Sequence, residues 1–411
     1  MTRVSKSAFN VREKLTELGR RFGIKGSELV AAETVQDARN LVSAGRKNMV
    51  INGAMQIHQR GVSTTTLDGG FGADRFVSSS SGLDQYVFSM GQSNTSPPGF
   101  SNSLRIEGTT LEVDVTSGEY LRLTHRIEAQ NLQYLGFGSR EAKDITVSFW
   151  VRSSLVGDYA FHIWQADTND IVNAKYSIEA ADTWQHVSFT FSGNTINAIN
   201  NDNGIGLVLN WVIDAGSNLT ASSGLTSKWV TYNGTSHFAA GHTANFCGAN
   251  NNFYLTGVQL EVGRNATDFE YRSYGEELAL CQRYYQITNT ATTFSNPTLG
   301  ETAFTGWQYA SNAGSFRIRL PVQMRTSPTT SAIGSPRTPT SPGGPPGSSS
   351  GTIGAYGDGD WMNLSGVTAV ESTPLSVRIN VTGLSGAAKD AFGLYFYGTY
   401  LDSTVILNAE L

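Results

Sequence analysis

The run Thr146-Val147-Ser148-Phe149-Trp150-Val151-Arg152 decides the fold class. Its alternation has the period of two that sends successive side chains to opposite faces of a strand. The same texture returns at Leu121-Arg122-Leu123, at His186-Val187-Ser188-Phe189-Thr190-Phe191 and at Tyr254-Leu255-Thr256-Gly257-Val258-Gln259-Leu260-Glu261. Clusters such as Ser192-Gly193-Asn194 and Asn200-Asn201-Asp202-Asn203-Gly204 bound these runs and supply their turns. Short strands joined by turns, without helices between them, predict a β-sandwich or jelly roll from Asn48 to about Tyr274.

Composition points the same way. The chain has 411 residues, enough for more than one domain, yet only 15% are charged, against roughly 25% in an average soluble protein. Ser, Thr, Asn and 44 Gly fill the difference, and 7 Trp, 16 Tyr and 20 Phe give it too much apolar surface for a disordered chain. A formal net charge of -5 excludes general attraction to phosphate backbones, so nucleic acid is not an expected partner. No apolar run reaches the ~18 residues of a spanning helix, and Met1-Thr2-Arg3-Val4-Ser5-Lys6 lacks the apolar core of a signal peptide. A protein made in the cytosol, without membrane insertion, is the expectation. Cys247 and Cys281 lack metal-ligand spacing and cannot form a disulfide framework, so they read as core thiols.

Residues 1–45 differ from the rest. Val11, Leu15, Leu18 and Phe22 fall on one helical stripe, and a second amphipathic stretch runs from Glu28 to Ala44 between Ser27 and Gly45 as caps. Up to Lys25 there are seven Lys/Arg and two Glu. Helices this short are marginal alone, so they are expected to dock on an acidic partner or to bundle between copies, with Arg12, Arg20 and Arg21 as attachment residues. A helical connector is expected at 276–285, with Leu278, Cys281 and Tyr285 at helical spacing. A final β domain, 286–411, follows, and seven of the chain's 11 prolines lie in it between Pro321 and Pro346. The whole is read as mainly β: an N-terminal helical segment (1–45), a jelly-roll β-sandwich body (46–275), the connector and a small C-terminal β domain.

Specific words then become recognisable. Arg46-Lys47-Asn48-Met49-Val50-Ile51-Asn52-Gly53-Ala54-Met55-Gln56, with Gln59-Arg60-Gly61 and Ala73-Asp74-Arg75-Phe76, resembles the opening of the body domain in bacteriophage tail-fibre-like proteins. Gly257-Val258-Gln259-Leu260-Glu261-Val262-Gly263, Arg272-Ser273-Tyr274-Gly275-Glu276-Glu277-Leu278 and Cys281-Gln282-Arg283-Tyr284-Tyr285 look like its close. Pro321-Val322-Gln323-Met324-Arg325 and the final Ala409-Glu410-Leu411 are similar to further words of the family, with Gln323 where a second proline is usual. The N-terminal helices resemble those of short-tailed marine phage fibres. The resemblance implies a homotrimeric virion structural protein in the tail, bound to tail or adaptor proteins, with a carbohydrate-binding-module-like body. It also implies a tip that contacts host surface polysaccharide or lipopolysaccharide. The rivals are a head or tail decoration protein and a capsule depolymerase.

For glycan contact, flat aromatic faces and hydrogen-bonding edges are needed. Tyr356, Asp358, Asp360 and Trp361 follow the Pro/Gly-rich stretch Ser335 to Gly351, and Tyr395 and Tyr397 share one face of a strand whose other face carries Phe392, Leu394 and Phe396. These six are the expected receptor contacts. Trp150 and Trp184 read as packing, whereas Trp164 and Trp229 are less securely placed. Asn52 and Glu261 read as a turn residue and a solvated carboxylate in preference to calcium ligands, and Asp358-Gly359-Asp360 as a turn. His237 and His242 lack a third ligand for zinc. No nucleophile elbow, phosphate loop or redox Cys pair is present. No catalytic residue, metal or cofactor is expected, and the protein is not expected to be an enzyme.

Overall fold

The computed structural model describes residues 47–61, 63–65, 69–112, 115–288, 304–310, 313–333, 335–336, 352–357, 360–362, 366–382, 392–397 and 404–411. The expected N-terminal helices, with Arg12, Arg20 and Arg21, lie outside the described residues. The body strands are Ser63–Thr65 (β1), Phe71–Ala73 (β2), Phe76–Ser81 (β3), Val87–Ser93 (β4), Ser103–Thr110 (β5) and Tyr120–Glu128 (β6). They continue with Ile145–Ser153 (β7), Gly157–Gln165 (β8), Asp170–Ile178 (β9), Gln185–Phe191 (β10), Ile205–Ala215 (β11), Val230–Thr231 (β12) and Asn252–Val262 (β13). They form two antiparallel sheets, β1-β4-β5-β13-β7-β10 and β12-β9-β8-β11-β6-β3-β2, between which the chain crosses repeatedly. The protein is mainly β and its body is a β-sandwich with jelly-roll-like crossings.

Alternation explains which residues fill the sandwich. In β7, Val147, Phe149 and Val151 point inward and are fully buried, whereas Trp150 and Arg152 point out. From the facing sheet come Phe161, Ile163, Leu209, Trp211, Leu121 and Leu123, all with no exposed surface. Trp211 sits at the centre, its ring 5.3 Å from Phe161 and 5.7 Å from Phe149. Each such ring pair adds about 0.5–1.5 kcal/mol beyond burial. Removal of the ring in Phe149→Ala would cost about 3–5 kcal/mol through lost contacts and the cavity left behind.

The words that carry the family resemblance converge in space. Asn48 accepts from the backbone N–H of Val50 and Leu260 and donates to the Val258 carbonyl, so the opening word is sewn to the closing one. Gly53 lies so close to that strand that a Cβ would stand 2.1 Å from the Val258 carbonyl oxygen. Asn52, in the left-handed region at φ 61°, donates its side-chain amide to the Ile57 and Asp74 carbonyls and its backbone N–H to the Glu277 carboxylate. Glu277 belongs to helix α1, Tyr274–Gln282, which Ser273 caps and whose first turn holds Glu276 and Glu277, the sign its N-terminal dipole favours.

Helix α1 differs from the expected 276–285 in both ends. Tyr285, expected on the helical stripe, opens strand Tyr285–Thr288 (β14) because the last strand, Thr404–Asn408, captures it: Tyr285 pairs with Asn408 and Ile287 with Ile406. The remaining C-terminal strands, in chain order, are Phe304–Ala310 (β15), Ala313–Arg319 (β16), Thr329–Ile333 (β17), Ser335–Pro336 (β18), Thr352–Gly357 (β19) and Asp360–Met362 (β20). Gly366–Thr373 (β21), Ser376–Thr382 (β22), Phe392–Tyr397 (β23) and Thr404–Asn408 (β24) complete them. A three-stranded sheet, β14-β24-β17, adjoins the body, and a larger sheet runs β18-β19-β23-β15-β16-β22-β21 with β20 on β19.

The chain end is fastened to the body by arginines. Arg60 and Arg75 both donate to Glu410, while their guanidinium groups lie 3.6 Å and 3.5 Å from the ring centres of Tyr285 and Tyr284. Arg325 donates to the carbonyls of Ala409 and Glu410 and, across the junction, to that of Asn203. The stretches singled out in the sequence therefore form a structural junction between body, helix and final strand.

Candidate functional site

The larger C-terminal sheet assembles an aromatic face. Across β19, Tyr356 stands opposite Trp361 of β20 and Gly393 of β23, Gly354 opposite Tyr395, and Thr352 opposite Tyr397. Directly paired residues share a sheet face, so Tyr356, Trp361, Tyr395 and Tyr397 belong to one side. Thr305 pairs with Gly393, which places Trp307, two residues on, on that same side with 43% of its surface exposed. On the opposite side Phe316, Ile318, Val377, Ile379 and Val381 are buried.

Asp360 pairs with Gly357, next to the pair Tyr356 and Trp361. Asp358 lies outside the described residues. The exposed Arg317 and Arg319 lie on the same side as Trp307, since Trp307 pairs with Ser315 and alternation carries the face along β16. Arg378, opposite Arg317, and Asn380, opposite Ser315, extend it. This face offers flat rings beside guanidinium and amide donors, a combination suited to stacking on sugar C–H faces and bonding their hydroxyls. Trp307 was missed in the sequence. Its only signal there is the alternation Phe304-Thr305-Gly306-Trp307, and a glycine at a core-facing position hides that pattern.

The body tryptophans divide. Trp150 is half-buried on the outer face, its ring 5.2 Å from that of exposed His186, and not in the core beside Phe149. Trp184 lies 6.1 Å from Tyr254, over which Arg152 also packs. Trp164 donates to Asn169 Oδ1, and Trp229 packs on Phe137 and donates to the Ser192 carbonyl. All four have local packing partners.

Glu261, expected to be solvated, is 1% exposed. Its carboxylate accepts from Gln259 Nε2 and from the Thr267 N–H and hydroxyl, which close a turn over it. His237 and His242 do not face each other as ligands: His237 Nδ1 accepts from the Asn233 N–H, and His242 bridges the Ala160 N–H and the Ala244 carbonyl. Burial lowers the His242 pKa to about 4. Both cysteines are buried thiols, and burial raises their pKa values, for Cys247 with a further push from Asp214 and for Cys281 from Asp74. Among the described residues no cluster of three or more His, Cys, Asp and Glu side chains could hold a metal ion.

No family model matches the chain, and no curated protein matches it. Among solved structures it is similar to the enzymatically active domain of tailspike protein 4 of bacteriophage CBA120, at 11% identity and TM-score 0.28 over 53% of this chain. The chain spans 21% of the length of that tailspike domain. It is also similar to the family 11 carbohydrate-binding module of a Clostridium thermocellum cellulosomal cellulase, at 11% identity and TM-score 0.25, covering 50% of this chain and 98% of the module. A third likeness is to the modules CBM22-1 and GH10 of xylanase 10B from the same organism, at 9% identity and TM-score 0.26, covering 54% of this chain and 29% of the other.

Proposed function

We propose that this chain is a phage tail-fibre-like virion protein that contacts host surface glycan without cleaving it. The contact is made by the aromatic face of the C-terminal sheet, and the single observation that carries the reading is the register: it gathers Tyr356, Trp361, Tyr395 and Tyr397 with exposed Trp307 on the side opposite the buried apolar layer. Sugar rings present an apolar C–H face and a polar rim, and aromatic residues flanked by Arg317 and Arg319 match both. The family words support the virion assignment. In this reading the protein is a homotrimer in the tail, and residues 1–45 dock on tail or adaptor proteins.

Incubation of the purified protein with host surface polysaccharide tests the proposal. Retention of the protein on intact polymer is expected, and Trp307→Ala together with Tyr356→Ala should weaken retention by roughly tenfold or more, on the order of 1 kcal/mol per lost aromatic contact. Shortened polymer would make the protein a depolymerase, and wild-type retention by the double variant would remove the face from the site.

A further inference from the structure

The side of the C-terminal sheet that carries exposed Trp307 is also basic. Strands β16 and β22 contribute Arg317, Arg319 and Arg378 and no carboxylate, in a chain whose formal net charge is -5. Alternation puts Arg317 and Arg319 on one side of β16, both exposed, and the register sets Arg317 directly opposite the half-buried Arg378. Trp307 pairs with Ser315, two residues before Arg317, so the indole and the Arg317 guanidinium are diagonal neighbours on that side. Glu371 of β21 stands opposite Arg378 in the register, so one carboxylate position is set against three arginines.

Like charges directly opposite each other destabilise a sheet, and an oxyanion held between Arg317 and Arg378 relieves that repulsion. All three cations are arginines, whose planar fork of donors matches carboxylate or phosphate oxygens two at a time, where a lysine would offer only a point charge. Neighbouring strands lie about 4.8 Å apart and residues two along a strand about 7 Å apart, so Arg317, Arg319 and Arg378 form a triangle that one oxyanion can span. At physiological salt, charges are screened beyond about 8 Å, so the acidic balance of the rest of the chain does not cancel this local field.

We infer that the glycan taken by this face is acidic, with a carboxylate or phosphate held by Arg317, Arg319 and Arg378 beside a sugar ring stacked on Trp307. This specificity rests on the glycan contact proposed above and adds the charge of the ligand to it.

Retention of the full chain on four immobilised polymers decides it: polygalacturonate, which carries sugar carboxylates; phosphomannan, which carries sugar phosphates; dextran, a neutral glycan; and polyacrylate, which carries carboxylates without sugar. Retention on polygalacturonate or phosphomannan should exceed that on dextran and on polyacrylate by about tenfold or more, and whichever of the two is preferred assigns the source of the oxyanion. Arg317→Gln with Arg319→Gln should weaken it about tenfold, and both positions are exposed, so thermal unfolding should stay as in the wild type. Equal retention on dextran or on polyacrylate, retention on none of the four, or unchanged retention by the arginine variant overturns the acidic specificity. The glycan contact itself fails separately, through wild-type retention of Trp307→Ala with Tyr356→Ala on host surface polysaccharide.

Discussion

Arg283 and Glu128, 155 residues apart, form a two-pronged ion pair: Nε reaches Oε1 at 2.7 Å and Nη2 reaches Oε2 at 2.8 Å. Glu128 ends β6 with no exposed surface, so the body's central sheet and the residue that caps helix α1 are tied by a desolvated carboxylate. Burial pushes that carboxyl upward, but the hydrogen bonds from Arg283 and Tyr284 outweigh it and hold its pKa below the usual value.

Removal of one partner leaves the other buried and unpaired. Arg283→Ala should therefore cost about 3 kcal/mol, the lower end for such pairs because the guanidinium keeps 27% of its side chain exposed. Urea unfolding reads the loss directly. A change below about 1 kcal/mol would mean that the pair is screened like a surface one.

Histidines predict acid sensitivity. Burial lowers His242 to about 4 and His162 to about 3, and His125 well below its ordinary value. Below pH 6.5 the unfolded chain then binds protons that the folded chain refuses, so stability falls as pH drops from about 6.5 towards 4. Asp214 acts in the opposite sense: burial raises it to about 6, so the folded state gains relative stability as it takes up a proton below that pH. His242→Gln, which can keep both backbone hydrogen bonds, should flatten the loss between pH 6.5 and 4 by on the order of 3 kcal/mol. An unchanged slope of unfolding free energy against pH would count against it.

Gly257 sits at φ 61° in the bulge of β13, and a Cβ there would meet Phe100 Cζ at 2.7 Å and Trp150 Cδ1 at 3.0 Å. Gly257→Ala should destabilise the body by about 1–3 kcal/mol, from backbone strain and from displaced rings. Thermal unfolding measures it, and a melting temperature equal to the wild type would show that the bulge relaxes freely.

The proposed assembly makes two further predictions. Light-scattering mass of the full chain should be that of a trimer, and a stable monomer at micromolar concentration rejects the trimer. Reversal of Arg12, Arg20 and Arg21 to Glu should yield particles that lack the protein while the purified chain still folds. Normal incorporation would place attachment elsewhere.

The sequence by itself determined the strands. Period-two alternation at 146–152, 186–191 and 254–261 fixes which side chains can share a face, because that follows from local backbone geometry alone. It also pairs Tyr395 with Tyr397 for the same reason. It did not determine which face meets a core: Trp150 reads as readily inward as outward, and only the packing of Val147, Phe149 and Val151 on Trp211 and its neighbours turns it out. Tyr285 has helical spacing from Cys281, yet a strand more than 110 residues later claims it, since cross-strand hydrogen bonds depend on partners no local pattern contains. The pairing that brings Tyr356 opposite Trp361 and Gly354 opposite Tyr395 is likewise a product of register between β19, β20 and β23.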